Sequence, residues 1–94
     1  MSSQQDAATL ANVPASATSV ALFAVAYGSA VSRMVYNDSG ATLYLKYGTA
    51  ATTTSYTVAI PPAGYYEFPQ PLYAGVVHGI WSSATGTARV TEVN

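Results

Sequence analysis

The chain has 94 residues, no cysteine and few charges: only 7% of its residues are Asp, Glu, Lys or Arg, and its formal net charge is −1. An ordinary soluble domain carries about 25% charged residues. Three basic residues are too few to neutralise a nucleic-acid backbone, and the lack of cysteine excludes disulfides and thiolate metal sites. The composition therefore predicts one small domain whose uncharged surface favours association with protein partners.

The apolar stretches are too short to span a membrane. The longest, at residues 20–27, falls far below the roughly 20 residues that a spanning helix needs. Residues 1–6 are polar, with no basic run leading into an apolar one, so no secretory signal is visible. We therefore expect a protein that stays in the cytoplasm or is assembled there into something larger.

Residues 1–17 are small and polar, include Pro14 and show neither a helical nor a strand period. This composition predicts an N-terminal arm rather than a strand. Such an arm either docks on a neighbouring subunit or folds back over its own domain, and both alternatives fit the residues equally well. Residues 18–94 then form the folded domain.

The first predicted strand covers residues 18–27, where bulky side chains occupy both sides of the alternation. That pattern fits a strand covered on both faces, or one with a bulge that swaps its faces. A turn follows at residues 28–32. Residues 33–47 then predict a hairpin, because two runs rich in Val, Leu, Tyr and Thr flank the turn signal Asn-Asp-Ser-Gly. Its second strand alternates a core-facing set with an outward set: Leu43, Leu45 and Tyr47 against Thr42, Tyr44 and Lys46.

Residues 55–60 alternate as another half-buried strand, which two prolines end. Residues 65–68 predict a short strand at an edge or corner, and residues 69–75 a crossover loop between sheets. Residues 76–82 and 87–93 predict a second hairpin. Six or seven strands without a convincing helix predict an all-β fold, a single small antiparallel β-sandwich or jelly-roll-like barrel with an extended N-terminal arm.

The residues that carry chemistry do not form a reactive pattern. His78 is the only histidine, and its apolar neighbours describe a strand, so we interpret it as a hydrogen-bonded structural residue. The acids form neither an acid/base pair nor a calcium loop, because they lie in four separate parts of the chain: Asp6, Asp38, Glu67 and Glu92. No phosphate loop, nucleophile elbow or zinc signature is present. The sequence therefore predicts no enzymatic activity, no metal and no cofactor.

Eight tyrosines and one tryptophan are many for so short a chain. Those not needed in the core suit a protein interface, with Tyr44, Tyr65 and Tyr73 as the candidates. The basic residues either pair with acids on a neighbouring molecule or are simply solvated. These further interface candidates are Arg33, Lys46 and Arg89. Aromatic side chains also allow carbohydrate binding, but the Asp, Asn and Arg residues that would hold sugar hydroxyls are scattered along the sequence.

Three segments, VYNDSGATLYLKYG, TTTSYTVAIPPAGYYEFP and GIWSSATGTARVTEV, occur in this order in the chain. In these segments the chain resembles a group of small virion proteins of tailed bacteriophages and prophages. The resemblance covers residues 31–93 and leaves out the N-terminal arm. It implies a phage structural component of β-sandwich type, which serves either as a capsid decoration subunit or as an accessory part of the head or tail.

From this resemblance we expect a non-enzymatic capsid cement or decoration protein, a homotrimer on the capsid surface of the virion that bridges subunits of the major capsid protein. In this hypothesis residues 2–17 extend over a neighbour. The first alternative is a receptor- or glycan-binding module. The second is a tail or neck accessory protein of the virion.

Overall fold

A computed structural model describes residues 7–26 and 30–94, and these contain eight strands and no helix. The all-β class is confirmed, and the strand number is slightly larger than the six or seven predicted. The strands are β1 (Ala8–Pro14), β2 (Val20–Phe23), β3 (Ser32–Ser39), β4 (Leu43–Tyr47), β5 (Val58–Ile60), β6 (Tyr65–Glu67), β7 (Val77–Trp81) and β8 (Gly86–Val93).

The strands form two antiparallel sheets that face each other as a sandwich. The first sheet has the order β1-β8-β3-β6, and the second has the order β2-β7-β4-β5. Only the connection from β4 to β5 stays within one sheet, and every other connection crosses to the opposite sheet. Eight strands in this order form a jelly roll. The sandwich and jelly-roll descriptions left open by the sequence therefore both apply to this fold.

Both predicted hairpins are wrong, because each turn joins strands of different sheets. Strand β3 pairs with β6 and β8, whereas β4 pairs with β5 and β7. Likewise β7 and β8 lie in opposite sheets. Turn residues indicate where a chain reverses, but the burial of the flanking side chains decides which strand it pairs with. The crossover predicted at residues 69–75 is confirmed, since it joins β6 of the first sheet to β7 of the second.

Part of the expected arm is a strand. Residues Ala8–Pro14 pair with β8 over seven consecutive residue pairs, so this segment folds back on its own domain rather than on a neighbour. The sequence of β1 shows no alternation of apolar and polar residues, because β1 is an edge strand in which only Val13 is partly buried. Residues 1–6 of the expected arm, including Asp6, lie outside the described residues.

Strand β2 contains the bulge that its sequence suggested. Its register with β7 shifts between Ala21 and Phe23, and the consecutive side chains of Leu22 and Phe23 are both buried. The predicted strand also included Tyr27, and the predicted turn began at residue 28. Residues 27–29 lie outside the described part of the chain.

The core lies between the two sheets and is thin. Strand β4 contributes Leu43 and Leu45, which alternate inward as predicted. Gly79 of β7 also faces inward, and a side chain there would meet Leu22 and Leu43 at 2.8 Å. The other large buried side chains are Phe23, Val35, Ile60, Phe68, Val77, Trp81 and Val90.

Asn37 of β3 is fully buried at the end of the sandwich where four connections cross between the sheets. Its Nδ2 lies 2.8 Å from the carbonyl oxygen of Ala41, 2.9 Å from that of Ile60 and 3.1 Å from that of Pro61. Its Oδ1 accepts a hydrogen bond of 3.1 Å from Trp81 Nε1. One amide side chain therefore joins both sheets, which explains why the predicted turn leads into a crossing.

Replacement of Asn37 by alanine should lower the free energy of unfolding by about 2–4 kcal/mol, because buried polar groups that lose their partner cost about 1–3 kcal/mol each. Urea unfolding monitored by Trp81 fluorescence measures this loss. Asn12→Ala is the matched control, because Asn12 is exposed and its loss should cost at most about 0.5 kcal/mol. Equal losses for the two variants would contradict the role of Asn37.

Candidate functional site

The outer face of the first sheet is the candidate functional surface. Cross-strand register places one residue from each of its four strands in a row, because Asn12 lies opposite Arg89, Arg89 opposite Tyr36, and Tyr36 opposite Tyr65. Successive side chains of a strand point to opposite faces, so all four members of this row point away from the core. Two of the sequence candidates, Tyr65 and Arg89, are therefore on the same face.

A second row runs parallel to the first on this outer face. Leu10 lies opposite Thr91, Thr91 opposite Met34, and Met34 opposite Glu67. Large apolar or aromatic side chains in the two rows are exposed: Leu10 is 72% exposed, Tyr65 65%, Met34 38% and Tyr36 37%. Single exposed apolar residues are normal, but a contiguous set of them marks an interaction site.

Two of the three charged residues on this face, Asp38 and Arg89, pair with each other. Arg89 Nε donates a hydrogen bond of 2.8 Å to Asp38 Oδ2, and Arg89 Nη1 donates one of 3.0 Å to Asn12 Oδ1. Both side chains of the ion pair are about half exposed, so the pair itself contributes little to stability. These polar residues are scattered along the sequence, and the fold brings Asn12, Asp38 and Arg89 together beside Tyr36.

The loop that joins β4 to β5, residues 48–57, packs on part of the outer face of the second sheet. Lys46 Nζ donates to Ser55 Oγ at 2.9 Å and to the carbonyl oxygen of Ala50 at 3.3 Å. The rings of Tyr44 and Tyr56 pack with their centroids 4.9 Å apart. Tyr44 and Lys46 are thus half-buried partners of this loop rather than members of an open surface.

His78 lies on the same side of the second sheet and is hydrogen-bonded, as its sequence context predicted. Its Nδ1 is 2.9 Å from Ser19 Oγ, and the same hydroxyl oxygen accepts a hydrogen bond of 3.0 Å from the backbone N–H of Ala51. The imidazole therefore helps to hold the loop of residues 48–57 against the sheet. Within residues 7–26 and 30–94, no group of three His, Asp or Glu side chains could hold a metal ion.

Arg33, expected at a protein interface, is instead 1% exposed. Its Nε donates to Glu92 Oε2 at 2.7 Å, Nη1 to the carbonyl oxygen of Gly75 at 2.7 Å, and Nη2 to that of Ala24 at 2.7 Å. Its guanidinium carbon also lies 4.8 Å from the ring centre of Phe23. The N–H groups of Arg33 are thus hydrogen-bonded inside the molecule and do not reach a protein partner, so the interface expectation is wrong for this residue.

Tyr73 is partly buried and packs against the core. Its ring stacks on that of Tyr47 with centroids 4.4 Å apart, and its hydroxyl donates to the carbonyl oxygen of Val76 at 3.1 Å. Tyr47 in turn makes a hydroxyl–hydroxyl contact of 2.9 Å with Tyr66. Burial, reinforced by the contact with Tyr66, raises the pKa of Tyr47 well above its ordinary value of 10.0.

Leu10, Met34 and Tyr36 of this face were not among the residues predicted from the sequence. The signal for the last two was present in the alternation of β3, where Arg33 and Asn37 share one side and Met34 and Tyr36 share the other. The usual rule assigns the apolar side to the core, and here β3 turns its polar side chains inward instead. Leu10 carried no signal, because β1 had no recognisable period.

Comparison with protein-family models, curated proteins and solved structures finds no match for this chain. None of the described elements is a helix long and apolar enough to cross a membrane.

Replacement of Arg33 by lysine should destabilise the fold by about 3–5 kcal/mol, because one ammonium group cannot reach Glu92 and the carbonyl oxygens of Ala24 and Gly75 at once. The matched control is Arg89→Lys on the exposed ion pair, for which we expect a loss below about 1 kcal/mol. The urea concentration at the unfolding midpoint measures both losses, provided that the free energy of unfolding keeps the same dependence on urea concentration in each variant. If the two substitutions cost the same, Arg33 does not hold this end of the sandwich.

Stability should fall at high pH through Tyr47. Below pH 10.0, the ordinary value, both folded and unfolded states keep the phenol proton, so this group adds no pH dependence. Above it the unfolded chain releases the proton while the folded chain, whose pKa is raised, retains it, and the free energy of unfolding decreases. Urea unfolding at about pH 9 and about pH 11 measures the change. Tyr47→Phe should flatten this dependence, and an unchanged slope in that variant would contradict the assignment.

Proposed function

We propose that this chain is a non-enzymatic structural protein of a bacteriophage virion, a capsid cement or decoration protein that binds the outer shell. The major capsid protein is its partner, and the outer face of the first sheet is the surface that binds it. Assembly takes place in the host cytoplasm. The homotrimer implied by the resemblance stays a prediction.

The observation that carries this proposal is the difference between the two outer faces. The loop of residues 48–57 packs on part of the outer face of the second sheet, with Ala51 only 2% exposed, whereas nothing in the described chain covers Tyr65 or Leu10 on the first. A domain with one partly covered and one open apolar face is suited to bind a surface on the open side. Tyrosine and methionine are enriched in such contacts because they bury much area.

Two further observations support this function. The resemblance to small phage virion proteins covers residues 31–93, which include β3, β6 and β8, three of the four strands that build the open face. Jelly rolls also recur in viral capsid proteins, although a fold by itself does not define a function.

The low charge of the chain fits attachment by apolar contact. With a formal net charge of −1, copies repel one another little and can lie side by side on a shell. Many modest contacts then add through multivalency, which strengthens the shell without a high affinity for any single site. Since few charges take part, binding should depend weakly on salt.

A second candidate is a glycan-binding module, and one observation favours it. Tyr36 and Tyr65 lie opposite each other, and the polar group formed by Asn12, Asp38 and Arg89 adjoins Tyr36. Aromatic faces stack on sugar rings, and such polar side chains bind hydroxyl groups. This candidate uses the same face, so the partner and not the location distinguishes it from the first.

The decisive experiment uses phage heads that lack the protein, to which the purified chain is added back. The native chain should bind the heads and reduce DNA loss on mild heating. Tyr65→Lys and Met34→Lys should each weaken binding at least about 30-fold, as expected for central contacts worth about 2 kcal/mol. Thr53→Lys, in the exposed part of the loop of residues 48–57, is the control and should bind like the native chain.

The same variants on a glycan array separate the two candidates. A cement protein should bind heads and ignore glycans. Specific glycan binding that Tyr65→Lys abolishes, together with no effect on heat-induced DNA loss, would overturn the cement proposal and support the glycan module. Equal head binding by Tyr65→Lys, Met34→Lys and Thr53→Lys would show that the open face is not the contact surface.

A further inference from the structure

The four edge strands of the two sheets differ sharply in how well they are protected. Edge strand β2 has only four residues and a bulge, β5 has three residues and is followed by two prolines, and β6 has three residues. Short, bulged or proline-ended edges resist pairing with another chain. By contrast β1 has seven residues, keeps one register along β8 and contains no charged side chain. It is the one long edge in the described chain, and its only protecting residue is Pro14 at its last position.

The hydrogen bonds at the two ends of β1 show which backbone groups face outward. The N–H of Ala15 donates to the carbonyl of Gly86 at 2.9 Å, and the N–H of Asn94 donates to the carbonyl of Ala7 at 3.0 Å. In an antiparallel pair, such bonded positions alternate along the strand. The odd-numbered residues of β1 therefore bond to β8. The N–H and C=O groups of Ala8, Leu10 and Asn12 point to the open edge.

We propose that this edge pairs with the same edge of a second copy of the chain, with the two β1 strands antiparallel about a two-fold axis at Leu10. Leu10 then lies opposite Leu10 of the partner subunit, and Ala8 lies opposite Asn12. Each of these pairs exchanges both backbone hydrogen bonds. Pro14, which has no N–H, stays outside the pairs.

Two features favour a second copy as the occupant. The row of outward groups is self-complementary, because a small residue lies opposite a polar one and no charge meets a like charge. Beside β1 a groove of about 190 Å³ opens between the two sheets, lined mainly by apolar side chains that include Leu22, Phe23 and the 45% exposed Val25, together with Thr9 and Glu92. Edge-to-edge pairing places this groove against the partner subunit, so apolar area is buried together with the backbone edge.

The pairing has a structural consequence for the open face. A two-fold axis perpendicular to the first sheet keeps both outer faces on the same side, so two four-stranded sheets become one of eight strands. This inference does not rest on the proposed function. It concerns contact between copies, whatever surface the combined face then binds.

A single cysteine tests both the contact and its register, since the chain has none of its own. In a bonded antiparallel pair the Cα atoms are about 5.5 Å apart, which is within the range that a disulfide spans. Leu10→Cys should therefore give a covalent dimer under mild oxidation. Asn12→Cys is the matched control, because in this register the two copies of residue 12 are offset by about 14 Å along the strand and should stay unlinked.

Charge substitution at the same position supplies a second measurement that does not depend on oxidation. Leu10→Lys and Leu10→Glu should each be single copies by light scattering, because like charges then lie opposite each other, and an equal mixture of the two should pair again. The native chain should reach twice the 9.7 kDa monomer mass at high concentration. Leu10 is exposed, so far-ultraviolet spectra should show all variants folded.

Three outcomes would overturn the proposal. The first is a native chain that keeps the mass of one copy at every concentration and gives no cross-link through Leu10→Cys. The second is cross-linking through Asn12→Cys in place of Leu10→Cys, which would establish a different register. The third is a three-copy mass that Leu10→Lys leaves intact, which would favour the homotrimer through another contact.

Discussion

Two buried polar side chains on one strand hold the two ends of this sandwich. Arg33 and Asn37 lie on the inner side of β3 with Val35 between them, and all three are essentially inaccessible to water. Arg33 binds carbonyl groups of the connections at one end, and Asn37 binds those at the other. A chain that crosses between sheets six times has many carbonyl groups near its core, and such groups must be hydrogen-bonded when buried. The thin core tolerates these two polar residues because their partners lie within reach.

The same strand explains why one surface is apolar. Since side chains alternate along β3, polar residues on its inner side leave Met34 and Tyr36 on its outer side. Neighbouring strands in register add Tyr65 and Leu10 to that surface. The arrangement inverts the ordinary pattern of a half-buried strand, in which the polar side faces solvent. The crossing topology and the open face are therefore two consequences of one stretch of sequence.

Sequence periodicity predicts the parts of this fold that depend on local burial, and it fails where the answer depends on distant partners. The all-β class and the inward set of β4 follow from alternation, and the bulge in β2 follows from Leu22 next to Phe23. The hairpins fail because turn residues do not specify a sheet. Of the candidate residues, Tyr65 and Arg89 reach the open face. Arg33 is buried instead, because carbonyl groups remote in sequence, those of Tyr73 and Gly75, accept its hydrogen bonds, and Tyr73 is partly buried against the core.

The open face and the open edge adjoin each other, because Leu10 belongs to both. Its side chain extends the apolar surface of the first sheet, while its backbone groups lie on the unprotected side of β1. A domain with 7% charged residues has little electrostatic means of keeping such a face and edge apart from other molecules. Pairing of copies through the edge leaves the open face accessible, and binding through the open face leaves the edge accessible, so both contacts can form at once. Because the edge contact is two-fold, it closes at two copies, and each pair then presents both open faces on the same side to a partner surface.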